Sequence, residues 1–151
     1  MRVCTPTLGG FRRYLRVMTV LVLALVVVGT AVSANASTSY RGNVKSGGKL
    51  SFHTTATSVV GFKTSVSALC VSVASGGSVL KVYPVLLQSP TKLASGRFKI
   101  TFKGSSSTFI TVTGSVKATS ASGNINVRYT TTIGMDIYAC SSKTTWTAKK
   151  V

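Results

Sequence analysis

The chain has 151 residues, and its 18 Lys and Arg face a single acidic residue, Asp136, for a formal net charge of +17. One Asp and no Glu exclude the paired carboxylates of ordinary glycoside hydrolysis. One His and one Asp also fall short of the three or more ligands of a catalytic metal and the several carboxylate oxygens of a calcium site, so no metal and no cofactor is expected.

Residues 1–36 read as a signal peptide. Arg12, Arg13 and Arg16 give a basic start, residues 17–32 an apolar run, and Ala34-Asn35-Ala36 a small-x-small cleavage site. Cleavage after Ala36 predicts one secreted domain over residues 37–151. The alternative is an uncleaved membrane anchor, for which the apolar run is at the short limit. The Arg12-Arg13 pair admits the twin-arginine route, but nothing calls for folding before export, so the general secretory route is expected. Four of the Arg (Arg2, Arg12, Arg13, Arg16) go with the leader, leaving 14 basic residues against Asp136. Cys4 goes too. Cys70 and Cys140 remain, an even pair that outside a reducing cytosol predicts one disulfide.

Residues 40–44 open as a short strand, and Lys45-Ser46-Gly47-Gly48 turns it into a second over residues 50–54. Leu50 and Phe52 then face inward and His53 outward. Residues 59–73 predict a central strand ending near Cys70, with Gly61 at a bend or bulge. After a turn at residues 75–78, residues 79–83 read as a strand cut short by Pro84, which has no amide hydrogen for a ladder. Residues 85–95 are the least regular part, a crossover or an edge strand.

From Arg97 the alternation is clearest, with Phe98, Ile100 and Phe102 inward and Arg97, Lys99, Thr101 and Lys103 outward. Residues 104–107 turn this run into residues 109–113. A second hairpin is predicted to pair Val116 and Ala118 with Ile125, Val127 and Tyr129 across a turn at residues 120–124. Gly134 breaks the next run, leaving residues 137–140 and 144–148 as closing strands. The Gly42-Asn43-Val44-Lys45 hairpin is faintly echoed at Gly114-Ser115-Val116-Lys117.

Short strands at even spacing, joined by Gly/Ser turns, predict an all-β fold. It is a single antiparallel β-sandwich, with a small barrel as the alternative, preceded by the signal-peptide helix. Trp146, the sole Trp, is expected in the core beside the disulfide, the sharper reading being an exposed sugar platform.

Several of these pieces together resemble a diffuse group of uncharacterised secreted bacterial β-sandwich proteins. They are Tyr40-x-Gly42, Leu50-Ser51-Phe52, Cys70, Phe98, Gly114-Ser115-Val116 and Ser122-Gly123-Asn124-Ile125. The most specific is the tail of Cys140-Ser141-Ser142-Lys143 with Trp146-Thr147-Ala148-Lys149-Lys150. The resemblance implies the sandwich, the disulfide and export, and transfers no activity. The middle, residues 83–95, departs most from it.

A Ser-His-Asp triad is formally available from His53, Asp136 and a Ser, but no Gly-x-Ser-x-Gly elbow accompanies it, so the chain is expected not to be an enzyme. The charge points instead to a binding module for anionic cell-surface or extracellular polymers, such as an anionic polysaccharide or wall polymer. Arg97, Lys99, Lys103, Lys117 and Arg128 are its candidate ligand-binding residues, presented from outward strand positions. Two other readings share the features. One is a structural or assembly protein of the cell exterior, joined strand to strand. The other is extracellular nucleic-acid binding, which lacks an outward aromatic ladder for stacking bases. Membrane contact is expected only through an uncleaved signal.

Overall fold

The alternation seen in the sequence is realised as an antiparallel all-β fold. The computed structural model describes residues 37–105 and 107–151; the predicted signal peptide lies outside the described residues. Nine strands follow in chain order: β1 (Thr38–Val44), β2 (Lys49–Thr54), β3 (Ser58–Ser72), β4 (Ser78–Leu87), β5 (Thr91–Lys92), β6 (Arg97–Lys103), β7 (Phe109–Val116), β8 (Ser120–Ile133) and β9 (Asp136–Lys150). All pairings are antiparallel, in the order β4-β3-β2-β1-β9-β8-β7-β6, with β5 on β3. A further pairing of β3 with β9 closes the ring β3-β2-β1-β9. Of the two predicted architectures, the small closed barrel, here with extra strands, describes the molecule.

Two 15-residue strands, β3 and β9, organise the ring. They pair through Leu69–Ser72 and Tyr138–Ser141, then part, and the β1–β2 hairpin fills the fork between them. Inside the fork neither long strand has a full ladder partner, and a buried backbone group left unpaired is costly. Side-chain hydroxyls and the hairpin turn answer that need. The Ser142 hydroxyl donates to the Ser67 carbonyl at 2.8 Å, that of Thr64 to the Lys49 carbonyl at 2.9 Å, and the Lys45 amide to the Thr145 carbonyl at 2.9 Å. This is why Thr64 and Ser142 are buried although polar, and the Thr144 hydroxyl, also buried, accepts the Ser46 amide at 3.2 Å. The predicted bulge is present: the β2–β3 register shifts opposite Gly61, whose φ is 66°.

At the closed end of the fork Cys70 pairs with Cys140 in the ladder and the two form the disulfide, with Cα atoms 3.9 Å apart. A bridge of this kind is consistent with an oxidising environment. The sheet curls so far that Phe98 of β6 and Phe62 of β3 bring their rings to 6.5 Å. Trp146 sits between them at 6.1 and 5.7 Å, with Phe52 at 5.7 Å, and is only 1 % exposed. Residues 37–151 belong to one compact unit, whose described residues hold the apolar core, the ladder and the disulfide.

Several details differ from the sequence-based expectation. Pro84 does not end its strand but pairs opposite Ser65 within β4. β4 has β3 on one side only, so the missing amide hydrogen can face the open edge without loss of a ladder bond. The β7–β8 turn is at residues 117–119, pairing Val116 with Ala121 and Val112 with Ile125. Ser122 and Gly123, read as turn residues, belong to β8. Phe102, predicted inward, is 45 % exposed at the end of β6. The two expected closing strands are one, because Ser141 and Ser142 continue β9. Trp146 is in the core, but six residues from Cys140 along an extended strand is about 20 Å, so the aromatic cluster and the disulfide are separate.

Candidate anion-binding surface

The sheet's outer face is made of Lys, Arg, Ser, Thr and Asn over most of its extent. All 14 basic side chains among the described residues are exposed, and none forms an ion pair with another described residue. Their closest grouping lies across β9, β1, β2 and β3. Arg41 of β1 is directly opposite Lys149 of β9 on one side and Ser51 of β2 on the other. Ser51 in turn faces Lys63 of β3. Lys49, whose partner is Asn43, is diagonal to Arg41.

Residues opposed in neighbouring antiparallel strands have Cβ atoms about 4.5–5.5 Å apart, and diagonal ones are roughly 7–8 Å apart. Arg41, Lys49 and Lys63 thus stand around Ser51 on one rigid pleat, and Lys149 lies one strand further out, beside Arg41. Arg41, Lys49 and Lys63 line an open concavity of about 670 Å³ with Asn43, His53 and Ser51, and a neighbouring one of about 380 Å³ shares Arg41 and Asn43 and adds Ser122, Thr147 and Lys149. His53 points outward as expected, its Nδ1 3.0 Å from the Ser39 hydroxyl.

The five sequence-predicted residues form a looser strip on the other wing of the sheet. Arg97, Lys99 and Lys103 project from β6, an edge strand. Register places Lys103 opposite Phe109, and Phe109 opposite Arg128, so the two cations are two strands or about 10 Å apart. Arg97 and Lys103 are separated by about 20 Å along β6. Lys117 is exposed in the β7–β8 turn, where its carbonyl accepts the Tyr40 hydroxyl at 2.9 Å. The sequence therefore missed the denser group. Lys49 was legible from the outward phase of β2, but the opposition of Arg41 to Lys149 depends on first and last strands meeting.

His53 and Asp136 cannot join in a triad. His53 faces Ser39, whose carbonyl accepts the Val151 amide at 3.0 Å just beyond the end of β9. Asp136 opens the same strand, and 15 residues of strand span about 50 Å. Among the described residues no three His, Cys, Asp or Glu come together as a metal set. Compared with protein-family models, with curated proteins and with solved structures, the chain matches none. What the arrangement can do is hold polyanions: fixed exposed cations, with hydroxyl and amide groups between them, make many weak contacts that salt screens.

Proposed function

We propose that this is an exported, non-catalytic binding module for an anionic polymer of the cell surface or its surroundings, akin to the secreted β-proteins its tail resembles. The observation that carries the reading is the direct opposition of Arg41 and Lys149 within a group completed by Lys49 and Lys63. Like charges facing each other across a ladder are destabilising. The one acidic side chain, Asp136, opens β9 at the end away from Lys149, so no carboxylate side chain offsets them, and an external polyanion would. The leader predicted for residues 1–36 and the Cys70–Cys140 bridge support export.

The test is retention of the protein on purified cell wall and on a soluble acidic polysaccharide at low and high salt. Retention at low salt and release at high salt are expected, and Arg41→Ala with Lys149→Ala should weaken it more than Arg97→Ala with Lys99→Ala. Absence of retention at low salt refutes the reading. Equal weakening by the two pairs moves the site off the Arg41 group.

A further inference from the structure

The outer face changes character around the closed end of the fork. Leu69 and Leu80 lie directly opposite each other across β3 and β4, 49 % and 70 % exposed. Val82, 71 % exposed, follows Leu80 along β4, and Val71 follows Leu69 along β3, facing Ala139 of β9. The Val73 amide donates to the Ile137 carbonyl at 2.9 Å, which brings both exposed side chains to the same end. Met135, fully exposed in the β8–β9 turn, is the tip. Contiguous exposed apolar surface of this kind marks a docking site for a protein or a membrane.

We propose that this aliphatic end docks on an anionic lipid bilayer, inserting Leu80, Val82, Ile137 and Met135 into the headgroup boundary. Charge complementarity selects the occupant. The domain carries 14 basic residues and one acidic residue, so a second copy is repelled whereas anionic headgroups are attracted. Arg128 faces Ser141, the ladder partner of Leu69, and can reach headgroups beside the inserted chains. The patch is also unlike a protein-recognition hot spot. It has no Trp, Tyr or Arg anchor, and it is built of the Leu and Val that are under-represented there. Flexible aliphatic chains on a projecting surface suit a fluid partner with no fixed shape. Insertion is shallow, because the open edge of β4 carries backbone groups that need water.

This surface is distinct from the Arg41 group, so either proposal can fail without the other. Residues 37–151 are incubated with phosphatidylcholine vesicles, with and without phosphatidylglycerol, and sedimented. Binding is expected only with phosphatidylglycerol, and it should become about tenfold weaker in Leu80→Thr/Val82→Thr, which removes apolar contact but no charge. Retention on soluble acidic polysaccharide should be unchanged in that variant. Met135→Trp adds an exposed indole whose fluorescence brominated acyl chains should quench, while buried Trp146 stays unquenched. Binding that ignores the Leu80/Val82 change, an unquenched tip, or no vesicle binding overturns the proposal. So does a wild-type dimer that the double variant makes monomeric, which would assign the patch to a second copy, and so does vesicle binding displaced by an acidic protein in an apolar-dependent way.

Discussion

Gly114 and Gly123 face each other across β7 and β8, and each is where the sheet comes too close to something for a side chain to fit. A Cβ on Gly114 would lie 2.6 Å from the Trp146 ring and 2.5 Å from that of Phe98; one on Gly123 would fall on the Thr113 carbonyl. Gly114→Ala should therefore destabilise by about 1–3 kcal/mol, the usual result of overfilling a packed core, read as a lower denaturant midpoint with an unchanged slope. In the sequence a Gly beside Ser signals a turn, and Gly123 reads as one although it lies within β8; close approach leaves no local trace. Tyr129 yields a second prediction. Burial, and then the charge of Tyr83 with its ring 4.4 Å away, raises the phenol above its ordinary 10.0. The folded state then holds that proton more tightly than the unfolded chain does. Its contribution to stability is complete below pH 10 and fades as pH rises through the raised value. An ultraviolet titration of the folded protein should show one late-ionising tyrosine that disappears in Tyr129→Phe.

At the scale of elements, the bridge does more than shorten the unfolded chain. It ties β3 to β9 where the two share only four ladder pairs before the β1–β2 hairpin separates them. Closing a 70-residue separation is worth about 4 kcal/mol in the loop-entropy model, a large part of the stability of so small a domain. Cys70→Ala with Cys140→Ala should lower the unfolding free energy by about 2–5 kcal/mol and make the midpoint insensitive to reductant, whereas reductant should lower the wild-type midpoint. The cysteines, the strands and the inward face were legible because pairing parity and period-two alternation are written locally. The fork was not. Nothing in residues 137–148 announces that a strand continues through Ser141 and Ser142, since its polar inward positions serve unpaired backbone on β3 rather than a turn. Pro84 misled for a related reason: its meaning depends on whether its strand is an edge, which is a property of the sheet.

For the whole molecule the decisive quantity is a charge that is never neutralised within the domain. Fourteen exposed cations and one carboxylate on a small barrel raise the folded state's free energy through self-repulsion, and compact states carry more of it than expanded ones. Salt should therefore stabilise this protein, the melting temperature rising as the Debye length shrinks toward the spacing of neighbouring charges. The effect should concentrate where register forces like charges together, and Arg41 opposite Lys149 is the closest such contact the ladder creates. Lys149→Glu turns that pair attractive without touching the core, since both side chains are exposed. It should raise the melting temperature in low salt, flatten its salt dependence, and reduce retention on an acidic polymer. Gain of stability with loss of binding would show that the repulsion is kept for the ligand. A variant that melts higher and binds as before would make the charge a solubility device alone, and calorimetry beside a salt-gradient elution separates the two outcomes.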